Sequence, residues 1–225
     1  MLKIENVDIV GWETAIRGMR NPMNSWAKSD TFFFCPSQGD IRKIGEGPNL
    51  ELMSEIGPND VGLMMKLRNC GTDHRKFMRM ITVYMDITAP LYWWKEYDTY
   101  KVGTVANSCS TMHKISAKEF TLDDFSHEHL QEDSIAVLES VIHTLNVHRE
   151  WFNEKALDDP KIDWWQMIQL LPSSYNQRRT VMLNYEVLAN MYKSRKNHKL
   201  DEWRTFCEYI KTFPYSELIT GKEED

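Results

Sequence analysis

The sequence predicts an α+β fold rich in helix, and three observations carry that prediction. Between Met80 and Thr88, Ile81, Val83, Met85 and Ile87 alternate with Thr82, Tyr84 and Asp86, the period of a strand with one buried face. From Ser134 to Phe152, Ile135, Leu138, Ile142, Leu145 and Phe152 recur at the spacing of an amphipathic helix. Two further stretches, Arg178 to Asn197 and Asp201 to Ile210, also read as helices.

The remaining elements follow in order. Ile4, Val7, Ile9 and Val10 predict a short opening strand, and Glu13 to Arg20 a helix stopped by Asn21-Pro22. Ser25 to Pro58 is punctuated by Pro36, Gly39, Gly45, Gly47-Pro48 and Gly57-Pro58, so it reads as loop with a helical turn or two around Leu50 to Ile56. Asp60 is placed to cap a helix through Leu63, Met64 and Leu67 that closes near Cys70-Gly71. Thr88-Ala89-Pro90 opens a helix from Leu91 to about Lys101, because proline is tolerated in a first turn, and Gly103 ends it.

Composition bounds the function. The chain has 225 residues, 42% of them hydrophobic, with 33 acidic and 27 basic side chains for a net charge of -6. It is long and apolar enough for a packed core, which excludes a disordered chain, and it reads as a single domain over residues 1–225. No run reaches the roughly 18 to 20 apolar residues of a membrane span, and the charged start Met-Leu-Lys-Ile-Glu-Asn is unlike a signal peptide. A soluble, cytoplasmic protein with no membrane partner is expected. Cys35, Cys70, Cys109 and Cys207 are far apart, giving neither a zinc motif nor a disulfide framework. The acidic balance speaks against nucleic acid, which needs a basic face. The 8 Trp, 9 Tyr, 9 Phe and 13 Met exceed what a core of this size requires, and they point to ligand stacking or to a subunit interface.

Four groups of polar residues could carry chemistry. Asp73-His74-Arg75-Lys76 lies between a helix stop and the best strand, where a loop delivers side chains to a site, although a solvated charged turn would look the same. His127-Glu128-His129 has two metal-ligand types but no third at an obvious spacing, and the isolated His113, His143 and His148 read as helix-surface residues. On the helix expected over 178–197, eleven residues at about 100° bring Asn184 and Arg195 to one face, flanking Leu188 and Met191. Arg195 could equally cover the helix end. The small, polar stretch Val102 to Ser110 could hold a phosphate or a pyrimidine edge, as could any loop rich in hydroxyls.

The order of these residues from Gly71 through His113 resembles the signature region of the flavin-dependent thymidylate synthases. His74 stands at the family histidine, Ala89-Pro90 at an Ala-Pro that opens a helix, and Lys95-Glu96 where Arg-Gln is common. Asn107 and Ser110 match the second half of the Arg-His-Arg-x(7)-Ser-x-Arg motif with one residue inserted near Ala106. Leu171-Pro172, Asn184, Asn190 and Arg195 match in spacing further on, and Ala15 to Arg20 resembles an early Ala-Val-Arg-x-x-Arg helix. The likeness covers about half the chain, mainly 60 to 115 and 165 to 205. The departures are Thr99-Tyr100-Lys101 in place of Arg-His-Arg, Met112 for the closing arginine, Ser108 for a glutamate, and Ile168 and Glu186 for two further arginines. Threonine, methionine and isoleucine cannot replace the two-pronged donors of arginine. Arg75, Lys76, Arg79, Lys101 and Lys114 are the candidate compensators.

The resemblance implies an antiparallel sheet packed with several helices and a homotetramer with sites between subunits. It implies FAD as cofactor, with NADPH and methylenetetrahydrofolate as cosubstrates in the methylation of dUMP to dTMP. It assigns Glu96, Ser110 and Arg195 to the nucleotide and His74, Lys101, Asn184 and Asn190 to the flavin, with no protein nucleophile and no metal. A relative that keeps the fold and binds a nucleotide or flavin without this activity is the alternative.

Overall fold

The computed structural model describes residues 2–31 and 56–221. The turn expected around Leu50 to Ile56, apart from Ile56 itself, lies outside them, as does Cys35. The chain folds into two compact units, one of residues 1–3, 87–99 and 107–180, the other of residues 4–86, 100–106 and 181–225. Four strands form one antiparallel sheet in the order β1-β2-β4-β3: β1 (Lys3–Val10), β2 (Thr82–Pro90), β3 (Val105–Ser108) and β4 (Asn176–Asn184). No helix among the described residues is long and apolar enough to cross a membrane.

The helix-rich α+β prediction is met, with corrections in detail. Strand β2 buries Val83, Met85, Ile87 and Ala89, continuing the face begun by Ile81, and leaves Tyr84 exposed. Pro90 closes the strand and stands just before α3 (Leu91–Tyr97), which is shorter than expected. The helix expected over 178–197 is half strand. Gln177, Val181 and Leu183 alternate inward along β4, and only from Tyr185 does the chain become α7 (Tyr185–Arg195). The stretch Val102 to Ser110, read as loop, contains the short exposed strand β3. Helix α6 (Lys161–Leu170) carries no strong apolar stripe and was not expected. The turn Lys76–Arg79, tightly wound, delays the strand after Gly71.

In the first unit, α5 (Glu132–Glu154) and α6 pack together. Leu138, Ile142, Leu145 and Met167 meet Ile115, Phe120 and Phe125 in one apolar cluster, with Phe152, Trp164 and Ile168 against it. Trp93, Trp94 and Tyr97 of α3 are fully buried, and Trp94 donates to the Gln177 carbonyl at 2.9 Å. Trp203 and Tyr185 are likewise buried in the second unit. Much of the aromatic surplus is therefore core, while Trp26, Trp151 and Trp165 are exposed.

The second unit is organised by a buried carboxylate. Asp60, on α2 (Pro58–Asn69), is not the helix cap expected, because Asp30 takes that role by accepting from the Asn59 and Asp60 amides at 2.9 and 3.1 Å. Asp60 is instead fully buried. It accepts from Arg20 of α1 (Trp12–Arg20), from Ser29 and from Thr31, each at 2.7 Å, and from the Asp30 amide at 3.2 Å. Burial pushes its pKa up, but the bonds from Thr31, Ser29 and Arg20, with the Arg20 charge, outweigh burial and hold it below the ordinary value. Just before α1, Gly11 sits at φ 94°, packed so closely on the chain leading into β2 that a Cβ would lie 2.2 Å from the Met80 carbonyl oxygen. Only glycine fits that turn.

Replacing Asp60 by Asn leaves Arg20 buried without its counter-charge, and a loss of about 3 to 5 kcal/mol is expected, read as a lower urea midpoint. Because the folded-state pKa is depressed, this stabilisation is present above an unfolded value of about 3.9 and is lost as pH falls through the folded value. Stability measured from pH 6 downward should show an acid loss that Asp60→Asn reduces; equal acid limbs would contradict the assignment.

Candidate functional site

Each unit presents a cavity that contains residues singled out in the sequence. In the first unit a cavity of about 430 Å³ is lined by Ser110, Lys114, Lys118, Tyr175, Gln177 and Arg178, among others. Ser110 precedes α4 (Thr111–Lys114), and its hydroxyl accepts from the His113 amide at 3.1 Å. Lys118 is paired with Asp124, whose carboxylate raises the lysine pKa against burial. Lys3 and Lys114 also line the cavity, so cations outnumber the two carboxylates, Asp123 and Asp124. Hydroxyls, amides and ammonium groups around one space can hold a phosphorylated pyrimidine. Arg178 was missed in the sequence because most of the strand that carries it read as helix, and Gln177 because it fell just before that helix, in no expected element. Glu96 is half-buried on α3, and its carbonyl closes the helix by accepting from the Thr99 hydroxyl at 2.7 Å.

In the second unit β4 turns into α7 at Asn184. This side chain is buried, its oxygen accepts from the Val187 amide at 3.0 Å, and its nitrogen lies 3.5 Å from the Gly103 carbonyl. Asn184 is thus the cap of the helix and not a residue on its face, which corrects the geometry expected of it with Arg195. Asn190, one and a half turns on, is exposed and accepts from Arg75 at 3.4 Å. It lines a cavity of about 460 Å³ with Arg68, Thr72, Arg75, Lys193 and Lys196. His74, beside Arg75, is exposed in the preceding turn, and Lys101 is exposed in the loop after Tyr100. Arg195, on the last turn of α7, donates from Nε to the Tyr100 hydroxyl at 3.0 Å, and its guanidinium lies 5.0 Å from the Trp203 ring centre.

Of the departures, Thr99, Tyr100, Ile168 and Glu186 have structural work. Ile168 packs against the apolar cluster of the first unit. Thr99 closes α3, and Tyr100 holds Arg195. Glu186 is buried and pairs with Arg75 at 2.8 Å, so one candidate compensator is already neutralised. Met112 is exposed, and its carbonyl accepts from Trp164 at 3.0 Å. No group of three His, Cys, Asp or Glu side chains among the described residues could hold a metal, and His127 Nδ1 lies 2.8 Å from the Phe125 carbonyl. Burial, then Glu208, pushes the Cys207 thiol up to about 11, so it carries no thiolate at neutral pH.

No family model and no curated protein matches the chain in sequence. Solved structures do match in shape. Thymidylate synthase X from Helicobacter pylori with FAD and dUMP superposes with a TM-score of 0.65 over 98% of both chains at 14% identity. This is the flavin-dependent thymidylate synthase fold. A second structure of the Helicobacter pylori enzyme complexed with FAD and dUMP gives 0.63 at 15% identity over 96% of this chain and 98% of that one. The UMP/dUMP methylase PolB from Streptomyces cacaoi, bound with 5-Br dUMP, gives 0.55 at 14% identity over 94% and 89%. The thymidylate synthase fold therefore extends over almost the whole chain, beyond the half in which the motifs were legible.

Asn184→Ala removes the cap of α7 in the ligand-free protein. A loss of about 1 to 2 kcal/mol is expected, measured by urea unfolding without added nucleotide. An unchanged midpoint would mean that the carboxamide does not hold the helix.

Proposed function

We propose that the chain binds a pyrimidine nucleotide of the dUMP type and is a flavin-dependent thymidylate synthase-like protein. Its reaction would be reductive methylation of dUMP to dTMP, with methylenetetrahydrofolate as the carbon source and NADPH as the reductant. The observation that carries this reading is the shared fold: the three solved structures that match over nearly the full chain were each determined with dUMP or 5-Br dUMP. The first-unit cavity with Ser110, Lys114 and Arg178 supplies polar and cationic groups for such a nucleotide.

One observation supports a flavin as a further ligand. Asn190 uses its oxygen on Arg75, while its nitrogen has no partner among the described residues and can donate into the second-unit cavity. Lys101 and His74 are exposed and able to contact a ligand. When bound, a reduced flavin supplies a hydride equivalent. The protein's part is orientation: Glu96 and Ser110 on the pyrimidine and its sugar, Arg195 on the phosphate, and Asn184 through the helix it starts. Arg195 is suited to this because Tyr100 and Trp203 fix the plane of its guanidinium. A cytoplasmic homotetramer belongs to the same proposal.

One observation favours the second reading, a relative that binds nucleotide or flavin without this activity. Glu186, at a position where the resemblance calls for arginine, is buried against Arg75, and a buried pair is costly to break. Purified protein incubated with FAD, dUMP, methylenetetrahydrofolate and NADPH should form dTMP and release deuterium from ring-labelled dUMP. Arg195→Lys should weaken dUMP binding about ten-fold. Binding of dUMP or FAD with no deuterium release would establish the second reading, and binding of neither would remove both.

A further inference from the structure

Helix α6 carries two consecutive tryptophans, Trp164 and Trp165, which a turn of about 100° per residue keeps from facing the same way. Trp164 is half-buried against the apolar cluster of the first unit, and its indole N–H donates to the Met112 carbonyl of α4 at 3.0 Å. Trp165 stays 48% exposed, edge-on to Trp164 with ring centres 4.7 Å apart. Both rings line a cavity of about 710 Å³, whose other apolar members are Met112, Phe152 and Pro160. That volume lies within the roughly 300 to 1,000 Å³ of small-molecule sites. Met112 stands where the resemblance calls for arginine, and it is 49% exposed. A thioether in an aromatic lining is polarisable and packs well against a further flat ring.

Three titratable residues complete the lining: His113, Asp159 and Lys161. Asp159 is engaged, because its carboxylate accepts from the Lys161 amide at 3.0 Å at the start of α6, where helix N–H groups offset negative charge. The His113 ring and the Lys161 ammonium have no hydrogen-bond or ion-pair partner among the described residues. The Trp165 N–H also lacks an acceptor among them. The groups left to recognise a ligand are therefore donors beside an aromatic wall, and the unengaged charge is positive. None of the residues assigned to nucleotide or flavin lines this cavity. Helix α4 serves two spaces, with Thr111 and Lys114 in the lining of the Ser110 cavity and Met112 and His113 in this one.

We propose that this cavity is a second ligand site, for a flat aromatic anion of one or two fused rings bearing a carboxylate. The ring packs on Trp165, Trp164 and Met112, and the carboxylate is met by Lys161 and His113. Aromatic surface of this size held open to solvent beside an unpaired ammonium has no use in the core of the first unit. The site stands whether or not the chain binds dUMP.

The test is calorimetric titration of the full chain with naphthoate, with naphthylmethanol, which has the rings without the charge, and with cyclohexanecarboxylate, which has the charge without the flat rings. Naphthoate should bind saturably, about ten-fold tighter than either analogue. Trp165→Ala should weaken it about ten-fold and Lys161→Ala about five-fold, the second effect fading as salt is raised. Both variants change exposed side chains, and Lys161→Ala leaves every apolar wall in place should Trp165→Ala fail to fold. Trp26→Ala, which removes an exposed tryptophan of the second unit, should bind like wild type. No saturable binding, equal affinity in wild type and Lys161→Ala at low salt, or the alcohol held as tightly as the acid overturns the site. A loss in Trp26→Ala as large as in Trp165→Ala marks general adhesion to exposed rings and overturns it too. Saturating dUMP should leave naphthoate affinity unchanged; displacement puts the ligand in the Ser110 cavity and overturns the assignment.

Discussion

The carboxamide of Asn184 governs more of the candidate chemistry than any residue that faces a cavity. Its oxygen accepts from the Val187 amide and fixes the point at which β4 stops and α7 begins. A helix turns by about 100° per residue, so that starting point sets the direction of every later side chain. Glu186 reaches Arg75, Asn190 and Lys193 line the second-unit cavity, and Arg195 meets Tyr100 because the helix begins where it does. Gly103 is tied to the same cap. At φ 75°, a Cβ there would lie 2.9 Å from the Asn184 nitrogen, so the loop after α3 can approach the cap only through glycine.

Charge has been redistributed around this frame. The resemblance leads one to expect arginines at 168 and 186, where the chain has an apolar core contact and a buried carboxylate. The cations around the second-unit cavity lie on α2, in the turn after it, on α7 and just past its end. A net charge of -6 says nothing of this, because the quantity that matters for an anion is local.

The strand at β2 and the helices α1, α5 and α8 (Asp201–Ile210) were legible in the sequence because their apolar periods are unmixed, and the family likeness because Ala89-Pro90, Asn184, Asn190 and Arg195 keep its spacing. The β4–α7 boundary was not. Val181 and Leu183 have strand spacing, Leu188 and Met191 have helical spacing, and the two patterns join without a proline or glycine between them. Asn184 was noticed as a polar residue, yet its capping role depends on knowing where the helix starts. Arg68, Lys193 and Lys196 carried no signal as a group, since Arg68 is more than a hundred residues away from the other two in the chain. A spacing of three from Asn190 to Lys193 to Lys196 was the only local hint.

The Asp60 carboxylate has a further meaning for how the second unit comes apart. Its donors come from α1 and from residues 29–31, while the carboxylate itself belongs to α2. Neither α1 nor α2 can leave without stranding a buried charge, and release of residues 29–31 strips the carboxylate of three neutral donors, so opening any one of the three weakens the hold on the others. They form a single cooperative unit of local unfolding, and the amides of residues 30, 59 and 60 would exchange with solvent through one common event.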